Sequence, residues 1–170
     1  DAQDLASKGY KVVSGPTQAF QLSGDTANPT SVFANKKVRE AVECAIDKEA
    51  IVKALGYGFW EPAYQFAYNT YVGHNPTIKG RTYDPARAKQ LLAEAGYPSG
   101  FKTKLIVRMG PDSDAWVAIQ KYLRDVGIDT EIDVADAGRH LATIYQGWKN
   151  CLLFIPITPS DPNYDVYQQT

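Results

Sequence analysis

The sequence predicts an α/β domain, a central mixed, largely parallel sheet flanked by helices, and three observations carry that prediction. The chain has 170 residues, the size of one ordinary domain, and at 44% hydrophobic and 22% charged it can bury a core while staying in water. Beyond Gly100, period-two stripes alternate with helical stripes in the order strand, helix, strand, helix, strand, which implies right-handed crossovers and parallel neighbours. The last of these segments, residues 151–155, is a continuous apolar run, as expected of a strand covered on both faces.

The elements follow in order. Residues 1–7 can form a short helix, and residues 10–13 and 19–22 read as short extended segments separated by the turn signal Gly15-Pro16. Asn28-Pro29 then breaks the chain before a strong helix. In it Val38, Ala41, Val42, Ala45 and Ile46 fall on one stripe at helical spacing, with Arg39, Glu40 and Glu43 facing away. Asp47 can cap a second helix to about Leu55, which Gly56 and Gly58 end. Residues 58–83 carry Trp60, Tyr64, Phe66, Tyr68 and Tyr71 among prolines and glycines with no sustained period, so they read as a long aromatic loop. Asp84-Pro85 opens another helix, with Ala88, Leu91, Leu92 and Ala95 on one face and Gly96 as the left-handed stop.

In the second half, Phe101, Thr103, Leu105 and Val107 alternate with lysines as a strand. Ile119, Leu123 and Val126 mark a helix over residues 114–126, stopped by Gly127. Ile128, Thr130, Ile132 and Val134 alternate with Asp129, Glu131 and Asp133, a half-buried strand with one acidic face. Leu141, Ile144 and Tyr145 mark a short helix ending at Gly147, with those three as its apolar stripe. Ligands in open α/β sheets lie beyond the carboxyl ends of the strands, here residues 108–112, 135–139 and 156–163.

Composition excludes several functions. Eighteen basic against nineteen acidic residues give a net charge of -1, so no positive field draws in nucleic acid, and no apolar run is long enough to span a bilayer. Two cysteines, Cys44 and Cys151, are too few for a disulfide scaffold; they read as buried thiols, with a bond between them left open. His74 and His140 stand alone, so no metal site and no cofactor is expected. Nucleophile elbows and glycine-rich phosphate loops are absent. The chain does not begin with methionine, its one methionine being Met109, which leads us to expect a removed leader or an excised piece.

Two features stand out from this background. Trp60 and Tyr64 could supply aromatic walls for a small ligand, or could simply pack their loop onto the domain. The turn containing Thr158 and Asp161 follows the apolar strand at the place where a ligand would sit, though Asp161 could instead bond its own backbone. Arg108, near another strand end, could pair with a carboxylate. An alternative reading is an extracytoplasmic hydrolase or transferase using Asp112, Asp136 and Asp161, or a sensor lobe.

The run Phe33-Ala34-Asn35-Lys36-Lys37-Val38-Arg39-Glu40-Ala41, continued by Ala45-Ile46-Asp47-Lys48-Glu49-Ala50-Ile51, resembles the V-R-x-A…A-I-D-[RK]-x-x-I signature of extracytoplasmic solute-binding proteins of the peptide/nickel type. Tyr83-Asp84-Pro85, Ala95-Gly96-Tyr97, Gly127-Ile128 and Asp161-Pro162 match in the same order. The resemblance implies a periplasmic-binding-protein-like lobe that serves an ABC importer. Residues 1–170 would form the second of two lobes, which close over a small solute beside the membrane permease. The resemblance further implies a periplasmic or extracellular location, with membrane association through the importer or a lipid anchor outside this chain. The isolated lobe is expected to be a monomer with no nucleic-acid partner and no enzymatic activity, and its ligand residues are expected to be Trp60, Tyr64, Arg108, Thr158 and Asp161. Peptide binders of the family carry an aspartate three residues before the D-P aspartate, where Thr158 stands here; the substrate classes are therefore a peptide, opine, sugar, nickel chelate or similar solute.

Overall fold

The computed structural model describes residues 2–11, 19–65 and 74–157. Its elements are α1 (Ala2–Ser7), β1 (Ala19–Gly24), α2 (Lys36–Ala45), α3 (Lys48–Leu55), α4 (Pro85–Glu94), β2 (Phe101–Arg108), α5 (Ser113–Asp125), β3 (Ile128–Ala135), α6 (Ala137–Gln146) and β4 (Leu152–Ile157), with a 3-10 turn over Val32–Ala34. The four strands form one sheet in the order β1-β4-β2-β3. β2 runs parallel to β3 and to β4, whereas β1 closes the far edge antiparallel to β4. The expected mixed, largely parallel sheet is therefore present.

Local chemistry explains why the helices begin and end where they do. Asn35, Asp47, Asp84 and Asp136 each accept a first-turn amide of the helix that follows, removing an orphan donor. Pro85 takes the first position of α4, where its missing N–H costs nothing. The stripe Val38, Ala41, Val42, Ala45 and Ile46 is buried throughout, together with Ala88, Leu91 and Leu92 of α4 and Trp116, Ile119 and Leu123 of α5. These pack with Leu105, Val107, Leu152 and Phe154 of the sheet into one core, so α2, α4 and α5 form a layer on one sheet face.

The chain steps from β2 through α5 out to β3, then returns through α6 across β2 to β4. With right-handed crossovers this reversal puts α6 on the face opposite α5. On that face Lys102 and Lys104 of β2 stand beside Asp129 and Glu131 of β3 in direct register. Their ion pairs measure 3.8 and 3.5 Å, and Arg139 of α6 grips Asp133. The acidic face of β3 is thus a charge ladder matched strand to strand, which removes like-charge repulsion along the row.

Two expectations need revision, and the reading of the two cysteines as buried thiols stands. The predicted apolar stripe of α6 is turned partly outward: Leu141 is 53% and Tyr145 75% exposed, while His140 is buried. The cause is polar. The His140 Nε2–H donates to the carbonyl of Phe154 at 2.8 Å, a bond that rotates α6 so that the imidazole faces β4. Tyr10 and Lys11 belong to no strand, and the rest of that predicted segment lies outside the described residues. Cys44 and Cys151 are both buried and free, and burial pushes both thiols up from their usual range.

Candidate ligand-binding rim

The carboxyl ends of β2 and β4 lie side by side at the place where the strand order reverses, since Leu105 and Ile106 are level with Leu152 and Leu153 and both strands run the same way. Arg108 ends β2 there, exposed. It neighbours Asp112, the residue that precedes α5 without making a side-chain cap, and it pulls down a carboxyl that burial pushes above its ordinary range. Burial is the larger cause, so Asp112 takes up a proton more readily than a free aspartate.

Trp60 reaches the same end of the sheet by way of β1. Phe20 of β1 is in register with Pro156 of β4, and its ring meets Trp60 edge-on at 5.7 Å. The same ring packs on Trp116 at 5.4 Å and on Phe154 at 5.2 Å. The edge-on contacts with Trp60 and Phe154 set the angle of the Phe20 ring as well as burying it, so Trp60 rests on Phe20, which Trp116 and Phe154 support in turn. A Cβ on Gly56 would stand 2.6 Å from the Trp60 Cβ, so glycine there lets the loop turn back onto the domain. None of Phe20, Trp116 and Phe154 was a candidate from sequence; Phe20 had a signal, an aromatic residue on an edge strand, but its neighbours did not.

Tyr64 goes elsewhere. Its hydroxyl donates to Glu49 at 2.8 Å and Lys48 lies over its ring at 4.8 Å, both at the start of α3. Burial and the Glu49 carboxylate push its phenol up to about 12. Arg81 binds Glu40 at 2.7 Å and Glu43 at 2.9 Å in the same neighbourhood, which tethers the returning end of the aromatic loop. Tyr64, Lys48, Arg81 and Tyr83 line a depression of about 230 Å³. Tyr83 in turn packs on Tyr122 at 5.5 Å, almost two turns of α5 beyond Trp116, or about 9 Å towards the amino ends of the strands.

The structure therefore brings Trp60 and Arg108 to one end of the sheet and holds Tyr64 away from them. Thr158 and Asp161 lie outside the described residues. The aromatic loop is irregular wherever it is described, and Phe66, Tyr68 and Tyr71 also lie outside.

The catalytic alternative finds little here. Asp136 is engaged as the cap of α6, accepting from the Arg139 amide at 2.9 Å. Among the described residues no group of His, Cys, Asp or Glu could hold a metal ion, and no helix is long and apolar enough to cross a membrane.

Comparison with known proteins identifies what this chain resembles. The family described as bacterial extracellular solute-binding proteins, family 5 Middle, matches residues 2–167. Glutathione-binding protein GsiB of Salmonella choleraesuis is 33% identical over 142 residues, covering 81% of this chain and 27% of its own length. The periplasmic binding protein DppA of Helicobacter pylori, solved with the peptide STSA, superposes with a TM-score of 0.81 at 32% identity, over 89% of this chain and 30% of that one. A dipeptide-binding protein from Pseudoalteromonas sp. SM9913, solved with Met-Leu, gives a TM-score of 0.77 at 26% identity, over 88% of this chain and 31% of that one. The chain thus spans less than a third of the length of these relatives, each of which is a binding protein. With nearly every residue inside the family match, the chain belongs to the family 5 bacterial extracellular solute-binding proteins.

Proposed function

We propose that the protein to which this chain belongs captures a small solute for an ABC importer, and that this chain contributes one lobe of the clamp, the second, against a first lobe outside it. The family match over residues 2–167 carries this reading. Trp60 and Arg108, at the rim of the sheet, are the ligand residues this lobe offers, and Thr158 and Asp161 are the further candidates from sequence. An aromatic wall with a few polar groups is what a small-solute pocket requires. No bond is made or broken; closure is driven by contacts available only when both lobes grip the solute.

The relatives named above are described with glutathione, the peptide STSA and the dipeptide Met-Leu, which supports a small peptide-like solute as the first class to test. The threonine at position 158 offers a neutral hydroxyl where peptide binders of the family present a carboxylate, and this favours solutes whose recognition does not depend on pairing a free ammonium in a dry cleft. Opines and nickel chelates complete the panel. The protein acts in the periplasm or outside the cell, docking on a membrane permease, and the lobe by itself is a monomer.

Calorimetry with the full-length protein and with this chain, against the same panel, tests the reading. The full-length protein should bind one class with micromolar or better affinity, and the lobe alone should bind in the millimolar range or not at all. Tight binding by the lobe alone, or turnover of the solute, overturns it.

A further inference from the structure

The face of the sheet opposite the main core carries a depression of about 580 Å³, towards the amino ends of the strands and so away from the rim. Its lining includes Lys102, Lys104, Lys149, Glu131, Ile106 and Trp148. That is three ammonium groups against one carboxylate. Lys104 spends its charge on Glu131, and Lys102 on Asp129, which stands outside the lining. Lys149 is exposed and makes no ion pair with an acidic side chain among the described residues.

A second observation concerns Trp148. Its indole Nε1–H is buried and has no acceptor among the described residues. Buried donors are paired in native structures in all but a few cases, so a solitary one calls for an explanation.

The turn that carries these two side chains is built to hold them. Gly147 adopts φ 86° and ψ 167°, a conformation that essentially only glycine tolerates, and Asn150 sits in the left-handed region at φ 52°. Three hydrogen bonds fasten the turn: Gly147 N–H to the Thr143 carbonyl at 2.9 Å, Asn150 N–H to the Asp25 carboxylate at 3.0 Å, and the Thr103 hydroxyl to the Asn150 carbonyl at 3.0 Å. Asp25 is itself buried. A backbone conformation reserved for glycine, a left-handed asparagine and a buried carboxylate thus fix the turn that carries Trp148 and Lys149.

We propose that this depression is a second binding site, separate from the solute rim, for a small oxyanion. Lys149 supplies the unbalanced charge, Trp148 lines the depression with its indole N–H unpaired, Lys102 and Lys104 add field from the sheet, and Ile106 gives an apolar floor. The volume suits a ligand of metabolite size. Carboxylates and phosphates share the required chemistry, several oxygen acceptors on a negative charge.

Titration calorimetry of the purified protein at constant ionic strength, with citrate and separately with inorganic phosphate, tests the site and tells the two sources apart. Saturable binding of either anion is expected, weakened about tenfold or more by Lys149→Ala and by Trp148→Phe, the latter keeping the ring and removing the N–H. Lys149→Ala changes an exposed side chain outside every helix and strand, so it keeps the test decisive if Trp148→Phe disturbs folding. Absence of saturable binding of both anions, or binding that Lys149→Ala leaves unchanged, overturns the proposal. Since Trp60 and Arg108 stand at the other end of the sheet, solute capture at the rim stands or falls by its own measurement.

Discussion

The ring of Phe20 stands at 82° to the indole of Trp60, with centroids 5.7 Å apart, and this contact fastens a residue of the irregular aromatic loop to an edge strand of the sheet. Because Phe20 also meets Trp116 and Phe154, its removal should loosen the rim and the core beneath it together. Phe20→Ala is expected to cost about 2–3 kcal/mol of stability, below the range for a fully buried phenylalanine because the ring is 37% exposed. Denaturant unfolding measures that loss. Phe20→Leu, which keeps the volume without the edge-on geometry, should retain most of the stability and still weaken solute binding by the full-length protein.

Asp25 ties the end of β1 to the turn before β4. Its Oδ2 accepts from the Asn150 N–H at 3.0 Å and from the Asn28 side-chain amide at 3.3 Å. Asp25→Ala leaves a backbone donor without its acceptor and should cost about 1–3 kcal/mol. Asp25→Asn retains a carbonyl oxygen at the same place and should recover most of the loss. Equal destabilisation by the two substitutions in a urea titration would show that charge matters here and the acceptor does not.

Two glycines with positive φ offer a contrast. A Cβ on Gly100 would lie 1.8 Å from the backbone carbonyl oxygen of Gly127, whereas a Cβ on Gly96 meets nothing within 4 Å. Gly96→Ala should therefore cost only the left-handed strain, about 1–2 kcal/mol. Gly100→Ala adds a backbone collision at the close approach between the starts of β2 and β3, and should cost at least about 2 kcal/mol more, since neither backbone can move without shearing the β2–β3 register. Thermal unfolding of the pair would reveal the difference.

Asp133 and Asp112 should respond to acid in opposite senses. The Arg139 hydrogen bond to Asp133 holds its carboxyl below the ordinary range, so the folded state binds that proton less readily than the unfolded state. Its contribution is present above the unfolded value and is lost as pH falls through the folded one. Burial raises Asp112, so the folded state binds its proton more readily, and stability falls as pH rises from the unfolded value through the raised one. Asp133→Asn should make stability less sensitive to acid below about pH 4, the ordinary aspartate range, and Asp112→Asn should raise stability at neutral pH relative to the parent. Unfolding midpoints measured from acid to neutral pH would separate the two.

The helices were legible in the sequence because their signals are local. Asp47, Asp84-Pro85, Gly96 and Gly127 act within a turn or two of themselves, and the stripe from Val38 to Ile46 needs only a helix to become a face. The strand order was legible only as far as alternation and handedness reach. That β4 lies between β1 and β2, with β1 antiparallel, is a pairing between segments more than a hundred residues apart, on which local patterning is silent.

The site divided in the same way. Arg108 could be placed at a strand end from the period of β2 alone. Trp60 and Tyr64, four positions apart in one loop, could not be told apart by sequence; the tertiary structure gives the first to Phe20 at the rim and the second to Glu49 and Lys48 near the opposite end. Likewise α6 has two candidate faces, one apolar through Leu141 and Tyr145 and one marked by His140. What sequence determined were the elements and the family they spell. Which face was buried and which rings met was decided by one carbonyl, that of Phe154, and by the sheet edge on which Phe20 happened to lie, because burial and hydrogen bonding are properties of what a residue faces and that partner is chosen only when the chain closes on itself.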